Sequence, residues 1–169
     1  GVDGIELNLS CPHGMPERKM GAAMGEHPDL VAEVTEWSRS VATVPVWSKM
    51  TPNITHITQP ALAAVKGGAD GISAINTILS VIGVNLDTFA PMPTVEGHSV
   101  PGGYSCQAVR PIALRQVMEL ARALPKETSI CGIGGIECSE DAIQFLLLGA
   151  STLQVCTAVM LQGHGIVKE

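Results

Sequence analysis

The sequence predicts an α/β protein built on a parallel sheet, and two observations support this class. A glycine-containing pattern recurs before apolar segments, as Gly1-Val2-Asp3-Gly4-Ile5, Gly68-Ala69-Asp70-Gly71-Ile72 and Gly149-Ala150-Ser151-Thr152-Leu153. The last two copies follow helical stretches, where glycine turns the chain left-handed without a steric penalty. A repeated unit of helix end, tight turn and buried strand is typical of α/β proteins. The composition agrees, because 46% of the residues are hydrophobic and only 3% are aromatic, which suits a core of small and branched side chains.

The repeated unit predicts five strands. The segments concerned are short, apolar and β-branched in places, as buried parallel strands are. Their predicted bounds are 4–9, 44–50, 71–76, 130–133 and 152–156.

Four helices are predicted between these strands, at 28–41, 58–66, 111–124 and 139–148. Pro111 suits a first helical turn, where its missing N–H costs nothing. Ser139 followed by Glu140 and Asp141 predicts a capped helix start whose two acids complement the helix dipole.

Two long loops, at residues 12–25 and 79–106, follow the carboxyl ends of predicted strands. Parallel α/β folds place their sites at that edge, and loops of this length usually serve as lids or binding segments. Five strands fit a small open sheet, and they equally fit the second part of an eight-stranded barrel. Spacing alone does not decide between these two architectures.

The charge pattern argues against nucleic acid as a partner, because ten Lys and Arg residues are scattered along a chain of net charge −6. Apolar runs such as residues 145–148 are far too short to span a bilayer. No basic-then-apolar signal opens the sequence, so a cytoplasmic protein without a membrane segment is expected. The opening Gly1-Val2-Asp3-Gly4 indicates the middle of a domain.

The cysteines predict reduced thiols, since their number is odd and their spacing irregular. No Cys-x-x-Cys occurs, so neither a zinc ribbon nor a cluster-binding run is predicted, and no metal site is expected. The five positions are Cys11, Cys106, Cys131, Cys138 and Cys156.

Each predicted strand ends in, or is followed by, residues that could form a site, and in a parallel barrel all of these positions converge on one rim. The residues concerned are Asn8, Ser10 and Cys11, then Lys49, then Asn76 and Thr77, then Gly134 and Gly135, and last Cys156 and Thr157. Asparagine amides can read the lactam edge of a heterocycle, because each offers a donor and an acceptor. A lysine there can steady a negative charge on a bound ring. Backbone N–H groups after the last two strands can hold a phosphate.

Each of these residues also has an ordinary structural interpretation. An isolated cysteine such as Cys11 is most often a small buried hydrophobe, although on a loop it can act as a general acid or base. A strand-end lysine usually extends to solvent, and an asparagine after a strand usually makes a local turn. The pattern alone therefore indicates a barrel-type site for a ligand that carries a phosphate.

Longer stretches resemble the dihydropyrimidine dehydrogenase family, most of all its bacterial NAD-linked form. The segment from Asn8 to Met15, Asn-Leu-Ser-Cys-Pro-His-Gly-Met, is similar to that family's active-site segment. The class 1 dihydroorotate dehydrogenases share its Asn-x-Ser-Cys-Pro core and are near relatives. The other matching stretches are 48–53, 67–71 with Asn76-Thr77, 102–105, 108–115 and 154–156. The similarity runs nearly from end to end.

The resemblance implies an α/β fold, the C-terminal part (about strands four to eight) of an FMN-binding (β/α)₈ TIM barrel. Residues 1–169 would form a partial domain without the first three strands, poorly stable and inactive alone. It also implies reduction of uracil or thymine to the 5,6-dihydropyrimidine, with a hydride from FMN to C6 and a proton from Cys11 to C5. Asn8, Ser10, Asn76 and Thr77 match substrate-contacting positions, and Lys49 matches the lysine beside the flavin ring. The FMN-phosphate positions match Ile133, Gly134, Gly135, Cys156 and Thr157.

The resemblance further implies that NAD(P)H is oxidised on another flavoprotein domain or subunit and that electrons pass through [4Fe-4S] clusters outside this chain. An oligomer is expected. One departure stands out, because Cys106 occupies a position where relatives generally carry glycine. A side chain there could hinder a close approach of the backbone to the flavin. Two alternatives stay open at this point: a dihydroorotate dehydrogenase with the same cofactor, and a non-catalytic barrel fragment.

Overall fold

A computed structural model describes residues 1–11 and 15–168 of the chain. Five parallel strands form its sheet: β1 (Ile5–Asn8), β2 (Val46–Lys49), β3 (Gly71–Ala74), β10 (Ser129–Ile133) and β11 (Thr152–Gln154). Between β3 and β10 lie six shorter strands: β4 (Ile78–Ser80), β5 (Gly83–Val84), β6 (Pro91–Met92), β7 (Thr94–Val95), β8 (His98–Ser99) and β9 (Gly102–Tyr104). The helices are α1 (Ala22–Gly25), α2 (Pro28–Val41), α3 (Thr58–Lys66), α4 (Arg110–Ala123), α5 (Ser139–Leu147) and α6 (Thr157–Gln162).

The spatial order of the sheet is β1-β2-β3-β10-β11, which follows the order along the chain. All four ladders are parallel, and Asn8 lies beside Lys49 while Ile133 lies beside Gln154. Helices connect the neighbouring strands, as a parallel pairing requires. The prediction of an α/β protein with a parallel sheet is therefore confirmed.

The core lies between the sheet and its helices. Side chains alternate along a strand, so one face of β3 sends Ile72 and Ala74 into a fully buried apolar cluster. Phe145 of α5 and Leu120 of α4 belong to the same cluster. The opposite face of the sheet is polar, since Ser73 and Gln154 both donate hydrogen bonds to Glu6 there. The strands were predicted as buried apolar segments, and this polar face departs from that expectation.

The prediction that a left-handed glycine follows a helix at the second and third repeats is confirmed. Gly68 and Gly149 follow α3 and α5 with φ of +94° and +109°. At Gly149 an added Cβ would lie 2.5 Å from Cβ of Ala121, so packing as well as backbone geometry requires glycine.

Some predicted boundaries and features need correction. The last strand ends at Gln154 rather than at residue 156, and Cys156 is an exposed residue directly before α6. The Ser139 hydroxyl does not cap α5, because Cys138 occupies the N-cap position and Ser139 donates to Glu140 at 3.2 Å. Pro111 does lie in the first turn of α4.

The long loop at 79–106 contains unpredicted structure. Its short strands pair as antiparallel ladders, β4 with β9, β5 with β6 and β7 with β8. In the other long loop, Pro12, His13 and Gly14 lie outside the described residues, and α1 begins at Ala22. Among the helices that the structure describes, none is both long and apolar enough to span a membrane.

Candidate active site

The carboxyl ends of β1 and β3 bring two asparagines and a serine into one hydrogen-bonded cluster. Nδ2 of Asn76 donates to Oδ1 of Asn8 at 2.9 Å and to Oγ of Ser10 at 2.7 Å. Ser10 is fully buried and donates its hydroxyl to Oδ1 of Asn8 at 3.2 Å. Oδ1 of Asn76 accepts from the backbone N–H of Thr77 at 2.8 Å, which fixes the orientation of the Asn76 amide. The structure therefore brings Asn8, Ser10, Asn76 and Thr77 together at this edge of the sheet.

A cavity of about 180 Å³ lies beside this cluster, at the same edge of the sheet. It contains most of the residues that the sequence singled out: Lys49, Asn76, Thr77, Ile133, Gly134, Gly135, Cys156 and Thr157. Tyr104, the last residue of β9, and Ser105, which follows it, also line the cavity. Asn8 and Ser10 are outside the lining but contact it through Asn76.

Cys11 follows the asparagine cluster directly but does not line the cavity. Its side chain is partly buried, and its carbonyl accepts from the N–H of Ala22 at 2.8 Å. The next three residues lie outside the described part of the chain. Cys11 thus stands directly after Ser10 in the chain.

Lys49 ends β2 and contacts a carboxylate that the sequence argument missed. Its Nζ lies 3.7 Å from Oε1 of Glu6, and the side chains are 17% and 31% exposed. Glu6 precedes Asn8 by two residues on β1, so both side chains lie on the same face. Period-2 alternation applied to residues 4–9 was the signal that could have identified Glu6.

The Gly134-Gly135 turn after β10 has the features of an anion cradle. Its φ angles are +139° and +73°, and an added Cβ would lie 2.8 Å from Cβ of Ala113 at Gly134 and 2.7 Å from the Cys106 carbonyl at Gly135. Within the described residues, neither backbone N–H has a hydrogen-bond acceptor. Free N–H groups in such a turn fit a phosphate.

Two neighbouring groups hold this turn in place. Nη1 of Arg110 donates to the Gly135 carbonyl at 3.1 Å and lies 2.5 Å from Oδ2 of Asp141. The same Asp141 oxygen accepts from the N–H of Glu137 at 3.1 Å. From the sequence, Asp141 was expected only to complement a helix dipole, and Arg110 was given no role of its own. They lie 31 positions apart on different helices, and only the fold brings them together.

Thr157 begins α6 on the other side of the cradle. Its hydroxyl lies 3.0 Å from Oγ of Ser105. In an α-helix the first N–H groups have no intrahelical acceptor, so the N–H of Thr157 adds a donor next to the glycine turn.

Cys106 lines the cavity with φ of +74°, an unusual value for a residue with a side chain. Its Sγ lies 2.9 Å from Oε1 of Glu137. This hydrogen bond raises the pKa of the Cys106 thiol above its ordinary value, since the carboxylate favours the protonated sulfur. Burial raises the pKa of the Cys131 thiol. Both groups are therefore neutral thiols at pH 7.

The remaining titratable residues offer no metal centre within the described ranges. No group of three or more His, Cys, Asp or Glu side chains there is arranged to hold an ion. The chemistry that the arrangement supports is recognition of a planar polar ligand beside a cation and an anion cradle.

Comparison with known proteins identifies the family. The model of the dihydroorotate dehydrogenase family matches residues 1–169. Dihydropyrimidine dehydrogenase (NADP(+)), chloroplastic, of Arabidopsis thaliana is 57% identical over 172 residues, covering 99% of this chain and 40% of the relative. The NAD-dependent dihydropyrimidine dehydrogenase subunit PreA of Escherichia coli K12 is 47% identical over 171 residues, covering 100% of this chain and 41% of the relative.

The plant relative is thus more similar in sequence than the bacterial form that the motifs favoured. Both matches show that the chain spans about two fifths of the length of these relatives. Among solved structures, ligand-free DHODH from Eimeria tenella superposes with a TM-score of 0.75 at 18% identity, covering 99% of this chain and 49% of that one. This likeness concerns the fold alone. Because the family model matches every residue, the chain belongs to the dihydroorotate dehydrogenase family.

Proposed function

We propose that this chain is the FMN-binding part, about strands four to eight, of a (β/α)₈-barrel dihydropyrimidine dehydrogenase that reduces uracil or thymine to the 5,6-dihydro base. The observation that carries the proposal is the cluster of Asn8, Ser10 and Asn76 beside a cavity that holds Lys49 and the Gly134-Gly135 turn. One half of this arrangement suits a planar lactam and the other half suits a phosphate. The names of the plant and bacterial relatives support the same reaction.

The residues present fit FMN. The free N–H groups of Gly134 and Gly135 would hold the phosphate, with Ile133 and Cys156 beside them and the N–H and hydroxyl of Thr157 adding donors. Lys49 would contact the ring and favour its anionic reduced form. When bound, FMN supplies the hydride chemistry that no side chain can provide.

The asparagine cluster would orient the base. Asn76 is held by Asn8, Ser10 and Thr77, so its amide is already placed before a ligand binds. Fixed amides lower the entropy cost of holding the ring in one orientation. Thr77 lines the cavity next to Asn76 and would contact the same edge of the base.

Cys11 would hold the proton that reaches C5 of the base. Cys11 directly follows Ser10, which belongs to the asparagine cluster, and this position supports the assignment. Proton transfer from the face opposite the hydride donor would keep the two reacting groups from competing for space.

The electrons would come from NAD(P)H through a partner. The bacterial relative is named as a subunit of an NAD-dependent enzyme, which supports a multi-component assembly. We propose that the nicotinamide is oxidised on another flavoprotein domain or subunit and that [4Fe-4S] clusters outside this chain carry the electrons, in an oligomeric whole protein.

A dihydroorotate dehydrogenase is the second candidate, because the matching family model carries that name. Its substrate bears a carboxylate and needs a cation. Among the described residues that line the cavity, Lys49 is the one basic side chain, and it already contacts Glu6. This charge pattern favours a neutral base over orotate.

The test uses the full-length polypeptide that contains this chain, purified with its flavin. The flavin is reduced anaerobically, and uracil or orotate is then added while the visible spectrum is recorded. Return of the oxidised flavin bands with uracil but not with orotate is the expected result. Reoxidation by orotate alone would assign the dihydroorotate reaction, and absence of flavin bands would overturn both candidates.

A further inference from the structure

On the polar face of the sheet, Glu6 contacts side chains of three strands besides its own. Its Oε2 accepts from the hydroxyl of Ser73 at 2.5 Å and from Nε2 of Gln154 at 2.7 Å. Its Oε1 lies 3.7 Å from Nζ of Lys49. No other carboxylate among the described residues contacts Lys49.

The positions of Glu6 and its two hydrogen-bond donors in the sheet explain why these three side chains meet. Glu6, Ser73 and Gln154 come from β1, β3 and β11, which are alternate strands of the sheet. In a closed parallel barrel, alternate strands contribute the side chains of one interior layer. The layer is usually apolar and branched, whereas here it is a hydrogen-bonded polar set. Short hydrogen bonds to an ionised oxygen are among the stronger ones, so the carboxylate has a fixed position.

Because the Glu6 carboxylate has a fixed position, it compensates the positive charge of Lys49 to a fixed degree. The Lys49 ammonium is partly compensated by Glu6, and only the remainder of its charge is available to a ligand in the cavity. Both side chains are partly shielded from water, at 17% and 31% exposure, so the compensation is stronger than between two surface groups.

We propose that Glu6 is a positioning residue that acts through Lys49 and sets how much more tightly the site holds reduced than oxidised FMN. This rests on the proposed function, because it takes Lys49 to lie beside the flavin ring. Glu6 itself is not placed against the ring. By partly compensating the positive charge of Lys49, Glu6 weakens the attraction between Lys49 and the reduced flavin. In this way it sets the midpoint potential of the flavin.

The test measures the midpoint potential of bound FMN in the full-length protein, by equilibration with reference dyes. Glu6→Gln keeps the shape of the side chain and removes its charge. The freed ammonium should favour the reduced flavin about tenfold, which is a positive shift of about 30 mV for a two-electron couple. Glu33→Gln is the matched control, since Glu33 is exposed on α2, lies outside the cavity lining and undergoes the same change of charge.

A double-variant comparison tests whether Glu6 acts through Lys49. In a Lys49→Met background the same Glu6→Gln change should shift the potential far less than in the native background. An equal shift in both backgrounds would reveal a direct field of Glu6 on the flavin and overturn the proposal. An unchanged potential in Glu6→Gln would overturn it as well.

Ser73→Ala keeps the proposal testable if Glu6→Gln does not fold. That change removes one anchor of the carboxylate and leaves both charges, so Glu6 should move towards Lys49 and the potential should fall. An unchanged or raised potential in Ser73→Ala would contradict the positioning role. If the native protein binds no FMN, the proposed function fails and this inference fails with it, an outcome distinct from a flavoprotein whose potential ignores Glu6.

Discussion

At the scale of single residues, Cys11 carries the most specific chemical expectation. Replacing it by alanine removes the proposed proton donor and leaves the cavity lining untouched. We expect Cys11→Ala in the full-length protein to slow reoxidation of reduced flavin by uracil about 10²- to 10⁴-fold, the usual contribution of a positioned acid. The oxidised flavin spectrum should be unchanged. Rapid anaerobic mixing measures the rate.

Cys138→Ala serves as the control for that experiment, because Cys138 precedes α5 and lies outside the cavity lining. It should retain the native rate. A native rate in Cys11→Ala would refute the role of Cys11 as the acid and leave the flavin assignment intact.

The Cys106–Glu137 contact gives a second residue-scale prediction, on pH dependence. The hydrogen bond from Sγ to Oε1 raises the pKa of Cys106, so its thiol stays protonated to a higher pH than an ordinary cysteine. Glu137→Gln removes the carboxylate charge that opposes the thiolate. The pKa should fall, and alkylation of Cys106 by iodoacetamide should become faster at pH 8, as peptide mass spectrometry would measure. If the rate of alkylation depends on pH in the same way in the variant and in the native protein, Glu137 does not control the pKa of this thiol.

The sequence predicted the polar residues at the carboxyl ends of the strands. It did not predict the functional role of residues within strands or of pairs that are distant along the chain. Asn8 and Asn76 were expected to meet because both lie at the carboxyl ends of parallel strands, and their amides do hydrogen-bond. Glu6 was missed because it lies inside a strand taken as apolar throughout. Arg110 was missed because its partner Asp141 is distant along the chain, and no local pattern encodes such a pair.

At the scale of elements, the ion pair of Arg110 and Asp141 joins α4, α5 and the Gly134-Gly135 turn. The two side chains are 21% and 8% exposed. Asp141→Asn leaves Arg110 without its counter-charge in a mostly buried place. We expect the free energy of unfolding to fall by about 3 kcal/mol, the low end for a buried pair because Arg110 retains some contact with water. Urea denaturation of the full-length protein measures the loss.

Glu119→Gln provides the matched acid-to-amide change in an exposed pair of the same helix. Arg115 and Glu119 are one turn apart and 44% and 32% exposed, so their loss should cost only about 0.3–0.5 kcal/mol. Equal losses in the two variants would mean that the Arg110–Asp141 pair gains nothing from its burial. The FMN dissociation constant should rise only in Asp141→Asn, because only that pair supports the turn.

The elements that the sequence predicted correctly are those whose hydrophobic residues recur with a clear helical period or whose ends are marked by glycine or proline. α2 and α3 agree with the predicted bounds, because Pro28 opens one and Gly67 follows the other. α6 was missed, since six residues are too few for a helical period to be recognised. The ladders within residues 79–106 are two or three residues long and depend on turns and pairing, which neither composition nor alternation reveals.

At the scale of the whole molecule, the sheet has two edges. β1 and β11 each pair with one neighbour only among the described strands. A cavity of about 320 Å³ lies between them, lined by Glu6, Trp47, Cys131 and Gln154 among others. Glu6 and Gln154 nevertheless hydrogen-bond across this space, so the sheet is curved enough for its two edge strands to touch through side chains. Such curvature supports the proposed barrel of eight strands, in which three further strands would close the sheet.

The open edges predict how residues 1–169 behave when expressed alone. Unpaired N–H and C=O groups on β1 and β11 offer templates for pairing with another copy, and Ile5 on β1 is 39% exposed. We expect this chain to self-associate and its edge-strand amides to exchange hydrogen much faster than those of the central β3. Light scattering and hydrogen exchange measure the two effects. In the longer polypeptide both should disappear, because the preceding strands would occupy the edges.

Ile5→Lys should reduce the association by placing a charge on the edge, whereas Val41→Lys, at the exposed end of α2, should not. A monomeric chain whose β1 and β11 amides exchange as slowly as those of β3 would show that the five strands are complete without further ones, and the barrel proposal would then be wrong.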